Sequence, residues 1–335
     1  MKLTIIKILL LTLIIPSIST SHATSKEKNI SKFIQQMHDK HRFNKKELKQ
    51  VLDQAVHKKN IIKAISRPAE SVMTWHRYRK IFLRQDRIQG GVDFWNANEK
   101  ALNRAYKKYG IPPEIIVAII GVETKYGGNT GSFRILDALY TLGFGYPKRS
   151  RFFKKELKHF LLLTRKEKLN PTIPTGSYAG AMGVPQFMPS SYREYAIDFD
   201  NDGKRDIWNN TTDTIGSVAN YFAVHGWKKN SKDIAYLATT KGKKYKKVLH
   251  KKLKPKKTLK TILQHNVKIK PTINTAQKAK LTVFRQKDND EFWVTFHNFY
   301  VITRYNISSL YAMAVFQLSE EIKTKKELDK LEDPL

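Results

Sequence analysis

Cysteine is absent from all 335 residues. That excludes a disulfide framework and leaves no thiol at which a bacterial lipoprotein would be acylated. Acidic residues are scarce, 29 against 62 Lys and Arg, for a formal charge of +33. Such a field favours a polyanion: nucleic acid, an anionic membrane surface or an acidic cell-wall polymer. Heavy use of Lys, Ile and Asn offers compositional drift as the competing explanation. Long apolar runs are missing too. The run from Ile8 to Ile15 is too short to span a bilayer, and no internal repeat or long low-complexity tract appears.

That short run follows Lys2 and Lys7 and precedes Ser21-His22-Ala23, small residues at the two positions a signal peptidase reads. Cleavage after Ala23 is expected, with an uncleaved tether as the alternative. The mature chain would hold about 312 residues and a charge of +31, ample for two or three domains. With no Cys for lipid attachment, the expectation is an exported, periplasmic, soluble chain without a transmembrane span.

Residues 24–95 read as helical. Asn44 with Glu47 makes a capping box, and Leu48, Val51, Leu52, Ala55 and Val56 follow the spacing of a buried helix face. A further helix from Asp93 carries Leu102, Ala105, Tyr106 and Tyr109 to a stop at Gly110, and Pro112-Pro113 opens the next. Residues 151–164 and 213–226 also have helical periodicity, the latter through Ile215, Val218, Ala219 and Phe222. Beyond Trp227 the composition shifts. Residues 241–260 contain eleven lysines, and the short alternating runs 267–269, 281–284 and 292–296 suit a small β subdomain before helix returns at 308–318.

Within 118–127, Ala-Ile-Ile-Gly-Val-Glu-Thr-Lys-Tyr-Gly, Glu123 is the one carboxylate of an otherwise apolar stretch of helix that stops at Gly127. Burial against Ile119, Ile120 and Val122 would favour the protonated form and suit a general acid. The alternative is a solvent-facing Glu or an ion pair with Lys125. A second stretch, Gly176 to Tyr192, combines Gly180, Ala181 and Gly183, which allow close backbone approach, with Ser177, Tyr178, Gln186 and Phe187, a polar and aromatic lining of the kind sugar rings bind. Its alternative is a tight loop leading into a helix.

These segments, G-V-E-T-x-Y-G and Y-A-G-A-M-G-x-x-Q-F-M-P-S-S-Y, are followed by D-F-D-N-D-G, I-G-S-V-A-N-Y-F-x-x-H-G-W and F-Y-V-I-T-R-Y-N-x-S-x-x-Y-A-M-A-V. Joined in this order from about Trp75 to Leu318, they resemble the membrane-bound lytic transglycosylase B family of peptidoglycan-cleaving enzymes. The resemblance implies an α+β, predominantly helical fold: a lysozyme-like core with an N-terminal α domain and a small inserted β domain. The corresponding division is signal peptide 1–23, α domain 24–95, catalytic core 96–230, Lys-rich insert 231–290, return to the core 291–320 and charged tail 321–335. Glu123 falls at the position of the family's single acid/base. Ser177, Gln186, Tyr221, Tyr305, Asn306 and Tyr311 correspond to polar residues near it, and Tyr78, Lys148 and Arg149 to groove-lining positions.

The implied reaction cleaves the MurNAc–GlcNAc bond with help from the substrate's own N-acetyl group and leaves a 1,6-anhydromuramoyl end, without a second carboxylate or a catalytic cofactor. A hydrolytic muramidase on the same core and a non-catalytic basic wall-binding module are the alternatives. The expected partner is the glycan strand, met by a monomer; no nucleic acid is expected.

Residues 198–206, D-F-D-N-D-G-K-R-D, fit the first half of an EF-hand loop. Asp198, Asp200 and Asp202 would ligate through side chains and Lys204 through its carbonyl, holding calcium or sodium. Position twelve is Asn209 rather than Glu, and Asp213 would close a longer loop, as a similar Asp does in the family. An acidic turn without metal is the alternative. The ten His show no paired spacing, which makes His225 structural rather than a zinc ligand.

Overall fold

The structure, a computed structural model, describes residues 19–67, 73–229 and 231–332. Of the predicted signal peptide 1–23, residues 1–18 lie outside these, while 19–23 begin the first helix. The chain divides between Gln54 and Ala55 into two compact units. In the first, α1 (Ser19–His41) and α2 (Lys45–Asp53) contact each other. The Asn44 side chain accepts from the amides of Lys46 and Glu47, satisfying two of the donors a helix start leaves unpaired. Phe33, Met37, Leu48 and Leu52 are buried. Because α2 stops at Asp53, Val56 falls outside it; predicted on the buried face, it is 46% exposed, and its amide donates to Asp137.

The second unit begins with α3 (Lys59–Ile65), α4 (Trp75–Phe82), α5 (Gln85–Ala97) and α6 (Glu99–Tyr109). The helix predicted to run on from Asp93 is thus two. At Asn98 the backbone leaves helical geometry, and its side-chain amide donates to the Phe94 carbonyl at 2.8 Å. On α6, Leu102 and Ala105 are buried and Tyr106 is exposed. Next, α7 (Pro113–Thr124) is apolar on every side, and residues 115–121 are buried without a break. A helix of that kind belongs in a core, and α5, α6, α11 (Thr211–Val224) and α14 (Ser309–Glu332) all pack on it. Each fully buried Ile or Val there contributes roughly 1.5–3 kcal/mol, which anchors the helix that carries Glu123.

Between α7 and α11 lie β1 (Phe133–Arg134), α8 (Ile135–Gly145), α9 (Ser150–Lys166), β2 (Thr175–Gly176) and α10 (Pro189–Tyr195). Strand β1 pairs antiparallel with β2, bringing the 176–187 loop beside the segment that follows Glu123. Buried Asp137 holds the Arg134 guanidinium as well as the Val56 amide.

After α11 come β3 (Ala235–Thr240), β4 (Lys257–Thr258), α12 (Leu259–Leu263), β5 (Val267–Ile269), β6 (Lys278–Arg285), β7 (Asp290–Thr295) and α13 (His297–Ile302). The strands form one antiparallel sheet in the order β4-β6-β7-β3-β5. Val248, Leu259, Ile262, Val267, Leu281, Val294 and Phe296 make its core. Phe284 reaches Trp75 of α4, with ring centres 5.5 Å apart. The charged stretch after Glu320 continues α14 to Glu332, with Ile322 buried and Lys326 donating to Asn96. No described helix is long and apolar enough to cross a membrane.

Candidate active site

Glu123 sits one residue before the end of α7, where the chain turns back through three successive left-handed residues, Lys125, Tyr126 and Gly127. Two of these are not glycine, so the neighbours must hold them. The Tyr126 ring folds under the helix, and its hydroxyl donates to the Arg87 carbonyl at 2.7 Å. A Cβ on Gly121 would lie 2.6 Å from that hydroxyl, which is why the G-V-E-T-x-Y-G segment begins with glycine. The Arg87 guanidinium donates to the Gly121 carbonyl, which also accepts from the Lys125 amide at the end of the helix. Thr124 donates to the Val184 carbonyl at 2.9 Å and accepts from the Gly127 amide at 3.0 Å. Lys125, the alternative partner for Glu123, instead pairs with Asp86 at 2.8 Å. That hydrogen bond, ahead of the one from Arg84, lowers the Asp86 carboxyl to about 2.

Glu123 itself is half-buried among phenols. The Tyr311 hydroxyl donates to its Oε1 at 2.5 Å. The Tyr311 and Tyr305 rings are nearly parallel, with centres 6.5 Å apart, and Tyr221 lies 4.7 Å from Tyr305. Phe187 meets both Tyr221 and Tyr305, at 5.7 and 5.9 Å. Burial, and next the charge of Glu123, push the Tyr305 and Tyr311 phenols well above their ordinary range. Burial raises Tyr221 as well. All three therefore remain hydrogen-bond donors near neutral pH. Tyr221 donates to the Arg304 carbonyl and Tyr305 to the Pro185 carbonyl, which ties the α11, 185–187 and 304–311 segments together around the carboxylate. Tyr78 is buried and bears electrostatically on Tyr311.

The remaining predicted residues take more varied places. The Gln186 side chain donates to the carbonyls of Thr130 and Gly183, clamping the two loops that flank Glu123. Ser177 Oγ accepts from the Ala181 amide within a tight turn, and its own proton remains to be donated. Asn306 is half-buried next to Tyr305 in sequence. Lys148 and Arg149 lie on a 3-10 turn before α9, where the Arg149 guanidinium rests 4.5 Å from the Phe152 ring centre. Neither is joined to the Glu123 cluster by a hydrogen bond or ring contact among the described residues. His225 stacks on Tyr221 at 4.0 Å, and burial holds its imidazole below the usual range. Sequence reasoning passed over Arg87, Thr124, Tyr126 and Tyr195, whose ring lies 4.9 Å from Tyr221 and 5.0 Å from His225. Thr124 and Tyr126 were visible in the G-V-E-T-x-Y-G segment; Arg87 and Tyr195 carried no local signal.

In the acidic loop, Asp198, Asp200 and Asp202 bring one carboxylate oxygen each within 4.8 Å of one another. Three oxygens of that kind fit a hard cation such as calcium. Asp198 meanwhile accepts from the amides of Asn201, Asp202 and Gly203, so the backbone already curls round it. Asp213 stands outside this trio. It is buried at the first turn of α11 and accepts from the amides of Phe199 and Asp206, at 2.6 and 2.8 Å, fastening both ends of the loop.

A buried helix ending in one carboxylate, faced by loops that pair through a short β-bridge and backed by phenols, is an arrangement able to move a proton, and the comparisons with known proteins make it that of a glycan-cleaving enzyme. Residues 25–320 match the family model described as the transglycosylase SLT domain. The chain belongs to that family, and it is a lytic murein transglycosylase. It is 42% identical over 303 residues to the membrane-bound lytic murein transglycosylase B of Escherichia coli K12, covering 88% of this chain and 82% of that one. The crystal structure of the soluble lytic transglycosylase SltB1 from Pseudomonas aeruginosa superposes with a TM-score of 0.85 at 46% identity, over 89% of this chain and 99% of that one. The Escherichia coli transglycosylase Slt35 in complex with calcium gives 0.81 at 42%, over 89% and 93%.

Proposed function

We propose that this chain cleaves the MurNAc–GlcNAc bond of peptidoglycan with Glu123 as the only carboxyl group that moves a proton. The observation that carries this reading is the Tyr311 hydroxyl on Glu123 Oε1, with the Tyr305 ring stacked beside Tyr311 and Tyr221 and Phe187 packed against Tyr305. Protonated Glu123 gives its proton to the glycosidic oxygen, and the C1–O bond breaks. The N-acetyl carbonyl oxygen of the MurNAc residue then bonds to C1 as an oxazolinium ion. As the muramoyl O6 attacks C1, the C1 bond to the acetyl oxygen breaks and the O6 proton passes to Glu123. Bonds and protons balance without water, the product is a 1,6-anhydro end, and Glu123 is ready to act again.

Tyr311 supports both halves of this cycle, because a hydroxyl that donates to Oε1 steadies the carboxylate that forms when the first proton leaves. Ser177, through its remaining proton, and Asn306 are the partners we assign to the substrate's N-acetyl group. Tyr78, Gln186, Lys148 and Arg149 are assigned to the walls of the glycan groove. Asp198, Asp200 and Asp202, with the Lys204 carbonyl, are assigned to one calcium ion, which would brace the loop ahead of α11; the calcium complex of Slt35 supports this. Export to the periplasm follows from the residue pattern before Ala23.

The test is Glu123→Gln acting on purified sacculi. The amide keeps the shape and loses the transferable proton, so cleavage falls by about 10²- to 10⁴-fold while sacculus binding persists. Activity within tenfold of wild type would assign the acid to another residue.

A further inference from the structure

The excess positive charge is concentrated in the inserted sheet. Residues 234–287 hold seventeen Lys and Arg and no Asp or Glu. At the acid frequency of the whole chain about five would fall in that span, which argues against simple compositional drift. The folding of this segment turns the charge outward. A 3-10 helix has a three-residue period, and in Lys244–Val248 that period buries Val248 and turns Tyr245 onto Phe292 at 4.8 Å. Lys244, Lys246 and Lys247 are left on the outside, and Lys241, Lys243, Lys251, Lys252, Lys254, Lys256 and Lys260 are exposed as well. Among the described residues, none of these ten forms an ion pair. Of the acids that flank this span, Asp233 is engaged by Tyr236 and Gln277, Asp290 faces Arg285, Glu291 is engaged by Gln286 and Trp293, and Asp288 is exposed in the turn between β6 and β7.

We infer that this lysine-covered face docks the enzyme on an anionic phospholipid surface. Residues 241–260 contain eleven Lys and no Arg. Arg is the side chain that reads discrete carboxylates or phosphates in a two-pronged way, whereas Lys acts as a point charge on a flexible stem. An array of point charges suits a continuous plane of negative headgroups. Leu249, 38% exposed, lies between Lys247 and Lys251, placing an apolar group where headgroup and acyl regions meet. Nucleic acid fits less well, because Tyr245 is the only Phe, Trp or Tyr between Lys241 and Lys260 and is committed to Phe292, leaving no such ring for base stacking. With no Cys in the chain for lipid attachment, this face supplies attachment by charge.

The experiment is co-sedimentation of the full chain with vesicles of phosphatidylglycerol and phosphatidylcholine, compared with phosphatidylcholine alone. Three proteins are compared: wild type, a variant with Gln at Lys243, Lys244, Lys246, Lys247, Lys251 and Lys252, and a control with Gln at Lys28, Lys32, Lys40, Lys45, Lys46 and Lys107. The last two lose equal charge, and all three retain the same apolar N-terminus. Equal melting temperatures establish that the variants are folded. Wild type should prefer the anionic vesicles, and the insert variant should bind them about 100-fold more weakly, since each Lys near such a surface is worth about 1 kcal/mol and only some of the six touch it. The control should bind nearly as wild type does. Equal weakening of both variants would mean that net charge alone governs binding. Insert substitutions that weaken binding to sacculi or RNA but not to vesicles would replace the membrane with that partner. Either result overturns the inference.

Discussion

Replacing Tyr311 by Phe removes a hydroxyl that touches the carboxyl group proposed as the acid, Glu123. The ring remains, so its near-parallel contact with Tyr305 at 6.5 Å is preserved and no large cavity opens. Only the 2.5 Å hydrogen bond to Glu123 Oε1 is lost. A hydrogen bond to a charged group is worth about 1.5–3 kcal/mol, and this one strengthens as Glu123 releases its proton and becomes anionic. It therefore acts more on the transition state than on bound substrate. That amount corresponds to a fall in kcat of roughly 10- to 150-fold, with KM changed little. The assay is initial-rate release of soluble muropeptides over a range of sacculus concentrations, with urea midpoints as the folding control. A kcat within about twofold of wild type would remove Tyr311 from the mechanism. A raised KM with unchanged kcat would instead make it a substrate contact.

Calcium should raise the melting temperature and chelation should reverse the shift, since a ligand that binds only the folded state stabilises it by mass action; a protein with Asp200→Asn and Asp202→Asn that responds as wild type does would place the ion elsewhere. Burial holds the His225 imidazole below its ordinary range, with the Arg304 charge acting in the same direction. The unfolded chain then takes up that proton first as pH falls, so the contribution is fully present above the unfolded value of about 6.5 and is lost as pH drops toward the folded value. His225→Phe, which keeps a ring against Tyr221, should flatten the decline in urea midpoint between about pH 7 and about pH 5, and an unchanged decline would assign it to other groups.

The parts legible in the sequence were those set by local pattern. An apolar run opened by two prolines and closed at Gly127 reads as a buried helix, and α7 is one. The alternating runs at 281–284 and 292–296 read as strands, and they form the β6–β7 hairpin. Strand β3 gave no such signal because its burial does not alternate: Leu237 is 55% exposed between half-buried Tyr236 and buried Ala238. The helix expected from Asp93 failed at Asn98 because a polar side chain there bonds back to the preceding turn, which periodicity cannot register. The groups around Glu123 come from segments as far away as Tyr311, 188 residues along the chain, and only resemblance to a known family brought them together beforehand. Spacing from Asp198 singles out Asp213, and the part it plays in fastening the loop, through the amides of Phe199 and Asp206, is set by the fold and carries no sequence signal.

The central claim is that one carboxyl group completes the reaction without water. Cleavage of sacculi in heavy-oxygen water, followed by mass spectrometry of the released muropeptides, tests it most directly. Our account predicts muramoyl ends that are one water lighter than reducing ends and carry no heavy oxygen, with the products lost in Glu123→Gln. Reducing ends carrying the heavy isotope would show a hydrolytic muramidase and contradict it.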